Sequence, residues 1–226
     1  MGYPIQRIPR PAGEDVQGRA ADRARLLEKV AIGLAHEGKN PLHNMVLHLQ
    51  LMSEKLASPE LKGGSPIEKH LSAMRDGIGR VDALLRSFGD FAAPQHLTPD
   101  LGAALKRAFV LFAYEARRAS VQLTNSAPAT LMVSSESLYL GDLIAHALVV
   151  CIEHARDGGR VAASVQPRGA VAILQLRADG GVGNREQALP HLDAARRLAP
   201  EAACELSIET PAAGGARLSL SFLHPR

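Results

Sequence analysis

The sequence predicts a long α-helical hairpin followed by an α/β sandwich, and three observations carry that expectation. Apolar residues recur at spacings of three and four for about forty residues from Asp15, and again from Ile67 to Phe91. A polar stretch rich in proline and glycine separates the two runs, and after Pro94 short helical patterns alternate with period-two strands. With 46% hydrophobic residues in 226, the chain can build one large core or two modest ones.

Residues 1–14 hold three prolines and two glycines and read as a flexible N-terminal arm. The first helical stripe runs through Leu26, Leu27, Val30 and Leu34, then Leu42, Met45, Leu49, Met52 and Leu56. It is longer than an ordinary globular helix, which suggests a coiled coil or long bundle. The segment from Ser58 to Pro66 breaks it, and Ile67, Leu71, Met74, Ile78, Val81, Leu84, Leu85, Phe88 and Phe91 form the second stripe. Residues 15–94 therefore make an antiparallel hairpin. One hairpin leaves an apolar stripe uncovered, and a homodimer closing a four-helix bundle is the natural solution.

Residues 95–226 form the second unit. Leu101 to Arg118 reads as one helix, with Asp100 as its N-cap. Val121 to Thr124 is a short strand, and Leu138 to Ala155 is a strongly apolar helix stopped by Asp157-Gly158-Gly159. Strands are expected at Val161–Val165 and Val171–Leu176, a helix at Gln187–Leu198, and a closing hairpin of Cys204–Ile208 with Leu218–Phe222 around Ala212-Ala213-Gly214-Gly215. This order implies a sheet on one side and helices on the other.

Composition excludes several classes. The formal charge is only +3, and no Arg/Lys stripe with interleaved aromatics argues for nucleic acid. Cys151 and Cys204 lie among apolar residues without a CxxC spacing, and read as buried free thiols rather than metal ligands. The start of the chain has no charged segment leading into an apolar one, and no run approaches a bilayer span. A cytoplasmic protein without membrane contact is expected.

The sharpest local feature is Leu34-Ala35-His36-Glu37-Gly38-Lys39-Asn40-Pro41-Leu42. A proline inside a long helix costs about 3 kcal/mol and kinks it, so its place just past a His-Glu pair needs a reason. On a helix His36 and Asn40 share a face, one turn apart. Neutral imidazole has a free lone pair and is a competent nucleophile toward phosphorus. A carboxylate such as Glu37 can hold the proton on the other nitrogen, and an amide such as Asn40 can position a water or phosphoryl oxygen. A zinc-protease reading fails because Asn40 replaces the second His of His-Glu-x-x-His. His36, His43 and His48 could share a metal only in principle, since no carboxylate or Cys completes the set, and no metal site is expected.

This stretch resembles the H-box of bacterial sensor histidine kinases, through His36, Glu37, Lys39, Asn40, Pro41 and Leu42, with Leu34 and Ala35 fitting upstream. Arg80 to Phe88 resembles the closing turns of the same helical hairpin, while Gly38 replaces a residue that is usually apolar. The resemblance implies that His36 is phosphorylated, that Glu37 assists as base, and that Asn40 serves hydrolysis of a partner's phospho-aspartate. It also implies an α/β sandwich of the histidine-kinase ATPase type after Pro94.

There the chain departs from the family. The position of the Mg²⁺-ligating Asn on the family's long helix falls on Val150, and the preceding Asn-like position on His146. Valine cannot ligate a hard cation. Asp179-Gly180-Gly181-Val182-Gly183 fits the Asp-x-Gly-x-Gly that reads adenine in the family, with Gly181 and Gly183 as its glycines. Strand alternation would instead put Ala178 in the Asp place, so Asp179 is either a relic or a turn residue. The helix from Gln187 follows almost at once, with Leu189-Pro190-His191-Leu192 where a lid and phosphate loop would stand. Losing these parts together should remove ATP-driven autophosphorylation.

The reading is a histidine phosphotransferase in a two-component phosphorelay. It would exchange phosphate between His36 and the aspartate of response-regulator receiver domains, which would bring their own Mg²⁺; no cofactor of its own is expected. The alternatives are a divergent sensor kinase that autophosphorylates on His36, and a non-catalytic scaffold for a receiver domain. Leu42, Met45 and Leu49 would be bundle core or partner contact.

Overall fold

A computed structural model describes residues 15–57, 65–93, 98–135, 137–210 and 215–225. The expected arm over 1–14, the break after Ser58, and most of the turn at Ala212–Gly215 lie outside the described residues. Helix α1 spans Asp15–Ala57 and α2 spans Ser65–Ala92, and they pack against each other as a hairpin. Gly77 on α2 gives way to Met45 on α1, since a Cβ there would meet Met45 Cγ at 2.7 Å.

The chain then builds α3 (Leu101–Leu111), α4 (Ala113–Arg118), β1 (Gln122–Asn125), α5 (Ser137–His154), β2 (Arg160–Arg168), β3 (Val171–Asp179), α6 (Arg185–Glu201), β4 (Cys204–Glu209) and β5 (Ala216–Leu223). The sheet order is β1-β2-β3-β5-β4. β1 pairs parallel with β2, and every other neighbour is antiparallel. The strand register aligns the apolar faces: Ala163 opposes Leu176, Leu174 opposes Leu220, and Ala172 opposes Phe222. All six are buried, and α5 covers them with Leu143, Ile144, Ala147, Leu148 and Cys151, each fully buried. This is a helical region followed by an α/β sheet domain, as expected. Among the described residues no helix is long and apolar enough to cross a membrane.

The structure corrects one element. The single helix expected over Leu101–Arg118 is broken at Phe112, whose φ and ψ are −98° and 9°. Its fully buried ring anchors the break, and its backbone still bonds both ways, to Ala108 O at 2.9 Å and from Ala116 N at 3.0 Å. Apolar spacing alone does not register such a bend, because both pieces keep helical periodicity. Asp100 caps α3 as expected, accepting from Ala103 N at 3.1 Å.

Hairpin and sandwich share one apolar core. Leu26 and Val30 of α1 are fully buried and Phe91 of α2 nearly so, in the same cluster as the sheet residues. Polar contacts frame them. Arg23 pairs with Asp142 on α5, donates to the Phe91 carbonyl at 2.6 Å, and lies over the Phe91 ring at 5.2 Å. Arg197 of α6 donates to Asp22 at 2.6 Å.

Between α5 and α6 the buried rings of His146 and His191 meet, with Nδ1 atoms 2.9 Å apart. One nitrogen must donate and the other accept, so both rings cannot be protonated there. Burial holds His146 down to about 3 and His191 to about 4, and the neighbouring cationic side chains act in the same direction. In the unfolded chain each takes a proton at the ordinary value of 6.5. Between that pH and about 4 the unfolded state therefore binds more protons, and stability falls as pH falls. His146→Leu removes one such group. Its stability relative to wild type is expected to improve by about 2 kcal/mol between pH 7 and pH 4.5 in urea unfolding. A difference that stays constant with pH would contradict this account.

Candidate functional site

His36 lies on α1 and is exposed. One face of the imidazole is covered by Tyr114 of α4: the ring centroids are 4.4 Å apart and the planes are within 5° of parallel. The next residue, Glu37, turns its carboxylate to Arg117, which stands one turn beyond Tyr114 on α4. Lys29 of α1 also approaches buried Glu115 of α4, at 3.7 Å.

Gly33 explains why α4 comes so near. It is buried, one turn before His36, and a Cβ there would meet Leu111 O at 3.3 Å and Tyr114 Cβ at 3.4 Å. Glycine in a helix interior costs about 1 kcal/mol relative to alanine, a cost that close helix approach can offset. Gly33, Tyr114 and Arg117 did not stand out in the sequence. The one signal was a glycine inside a strongly helical stretch; Tyr114 and Arg117 are distant in sequence and carry no spacing relative to His36.

The other motif residues divide. Lys39 and Asn40 are exposed, Asn40 one turn along from His36 on the same face. Pro41 is buried and does not end α1, which continues to Ala57. Having no N–H, it leaves the Glu37 carbonyl without its usual intrahelical donor. Beside the site a groove of about 590 Å³ runs along the hairpin, lined among others by Ala35, Lys39, Leu42, Val46, Val81 and Leu85. Leu42 and Leu49 are half exposed in the single chain, whereas Met45 is packed under Gly77. His43 is exposed, and His48 meets His70 across the hairpin with Nδ1 atoms 3.0 Å apart.

The positions matched to a nucleotide site lie elsewhere, around the end of α5. Val150 is fully buried, and its carbonyl accepts from His154 Nδ1 at 2.8 Å. His146, one turn earlier, is closed against His191. Asp179 ends β3 and accepts from Arg177 at 2.8 Å, with Arg160 at 3.9 Å. Its neighbour Ala178 points into the core, as strand alternation predicts. Gly181 and Gly183 have φ of +75° and +76°, and a Cβ on Gly181 would meet Ala155 O at 2.3 Å. This turn is folded onto the end of α5 and the turn after it: Val182 N and Gly183 N donate to Arg156 O, and Asn184 N to Glu153 O. These backbone donors are thus engaged within the fold. Cys151 and Cys204 are both buried free thiols; burial pushes Cys151 up strongly and Cys204 to about 12.

No established family profile matches the chain. It is similar to the sensor protein CopS of Pseudomonas syringae pv. tomato, with 21% identity over 170 residues, 72% of this chain and 34% of that protein. The chain thus spans about a third of the relative's length. Similar solved structures include a bacterial phosphotransferase, 16% identical, with 89% of this chain and 96% of that one covered at a TM-score of 0.49. The catalytic domain of histidine kinase ThkA is 13% identical, with coverages of 56% and 96% and a TM-score of 0.48. The Acinetobacter baumannii histidine kinase AdeS is 12% identical, with 84% and 98% covered at 0.47.

Gly38, between Glu37 and Lys39, keeps an ordinary helical φ, and a Cβ there would meet nothing within 4 Å. Gly38→Ala is expected to stabilise the chain by about 0.5–1 kcal/mol, seen as a higher urea midpoint. A lower midpoint would show that the site needs glycine's freedom.

Proposed function

We propose that this histidine-kinase-like two-component chain moves a phosphoryl group between His36 and an aspartate of response-regulator receiver domains, without binding ATP itself. The observation that carries the reading is an exposed histidine within the His36–Leu42 motif, its ring stacked on one face. Nitrogen lone pairs lie in the ring plane, so a stacked partner leaves them accessible.

In the forward step a ring nitrogen attacks the phosphorus of an aspartyl phosphate. The P–N bond forms as the P–O bond breaks, and that electron pair leaves with the aspartate carboxylate. The proton on the other ring nitrogen is the one Glu37 would hold, and the reverse step restores the same atoms. Asn40, exposed on the same helix face, can position a water for hydrolysis of the partner's phospho-aspartate. The receiver would supply Mg²⁺, and the encounter would take place in the cytoplasm.

The state of the α/β half supports leaving ATP out. Valine at position 150 offers no side-chain oxygen to a cation, His146 and His191 close the α5–α6 interface, and Val182, Gly183 and Asn184 of the glycine turn donate their N–H groups to the Arg156 and Glu153 carbonyls. A homodimer belongs to the same reading. Leu42, Val46, Leu49, Ile78 and Leu85 are each about half exposed along the hairpin. A second hairpin would cover such a stripe. The similarity to CopS favours a second reading, in which the chain retains ATP-dependent autophosphorylation on His36.

One assay separates the readings. Labelled phosphate is expected to pass from phosphorylated receivers to the wild type but not to His36→Ala, while ATP with Mg²⁺ gives no label and no rise in melting temperature. Labelling of His36 by ATP would establish the kinase reading. Absence of label from every phosphorylated receiver would remove the transfer reading.

A further inference from the structure

We infer that Tyr114 and Arg117 of the α/β half are positioning residues for His36 and Glu37, so that the phosphoryl-accepting centre is shared between the two halves of the chain. The inference rests on the phosphotransfer reading and adds to it a role for the half that has no nucleotide to bind.

The geometry is specific. Tyr114 and Arg117 are three apart on α4 and present one face, and on α1 their counterparts are consecutive. The tyrosine ring lies flat on the imidazole rather than at its edge. An exposed histidine ring turns freely between broad χ2 wells, and a parallel ring at 4.4 Å restricts that rotation without itself covering the in-plane lone pairs. Arg117 acts on the neighbour. A carboxylate has two oxygens and about four acceptor sites, so Glu37 can accept from Arg117 and keep a lone pair for an imidazole N–H. The guanidinium would thereby orient the group that holds the proton while the other nitrogen attacks phosphorus.

Two further features make this more than incidental packing. Gly33 is the residue that admits α4, because any side chain there presses on Leu111 and Tyr114. And the Arg117 side chain is 57% exposed while that of Glu37 is 20% exposed, so water screens the pair from the arginine side and its loss carries a modest stability cost. Its loss should appear in phosphoryl transfer well beyond that small fall in stability.

The test uses the full chain with two donors: phosphoramidate, a small donor that needs no docking, and a phosphorylated receiver. Tyr114→Ala is expected to slow labelling of His36 by phosphoramidate about tenfold, whereas Tyr114→Phe, which keeps the ring, retains most of the wild-type rate. Arg117→Ala is expected to slow labelling several-fold with at most a small fall in melting temperature, and Arg117→Lys, which keeps a cation beside Glu37, to recover part of the rate. In NMR spectra the ring-current shift of the His36 protons should be present in wild type and Tyr114→Phe and lost in Tyr114→Ala. Wild-type rates in Tyr114→Ala and Arg117→Ala, alongside a lost ring-current shift, would overturn the inference and leave the transfer reading standing. A wild type that neither donor labels would overturn both, whatever the NMR shows.

Discussion

Everything in this fold that concerns His36 depends on how the first half of α1 is seated. Leu26 and Val30 are fully buried in the core of the sheet domain, each burial contributing about 1.5–3 kcal/mol. Arg23 ties α1 to α5 and to the end of α2, and Asp22 receives Arg197 from α6. Because α1 is one helix from Asp15 to Ala57, anchoring this stretch also sets where the residues two and three turns further along stand. His36 comes to rest at the edge of the sandwich, beyond the core and within reach of α4.

The same seating explains why the hairpin has two characters. Up to Val30 the apolar stripe of α1 is covered within the chain, and beyond Pro41 much of it is not: Leu42, Val46 and Leu49 remain about half exposed. The boundary between the two regimes falls at His36. On one side stands the α/β half with Tyr114 and Arg117, and on the other the open groove.

In the α/β half, packing occupies the positions that the sequence resemblance matched to a nucleotide site. A nucleotide site needs polar side chains and free backbone donors facing an open space. Here the corresponding helix positions carry Val150, which is core, and His146, which meets His191. The left-handed glycines of the Asp179–Gly183 turn serve close contact with the turn that follows α5: a Cβ on Gly181 would run into the Ala155 and Arg156 carbonyls. The glycine pattern therefore has a structural explanation inside this fold, and Asp179 is held by arginines.

Much of this was legible in one dimension. The two long helices, the strands and the Asp100 cap follow from periodicity and end signals, which are local. The motif around His36 was legible because its members from His36 to Leu42 lie within about two turns of one helix, where spacing equals proximity. Two things were not. The break at Phe112 leaves periodicity intact on both sides, and it is enforced by burial of that ring rather than by a proline or glycine. The partners of His36 and Glu37 come from residues some eighty positions away. Residue order is thus enough to say which side chains α1 offers and that an α/β layer follows. What lies against those side chains is settled in three dimensions, because the approach of α4 depends on Gly33, on the bend at Phe112 and on a shared core, and no single segment encodes all three.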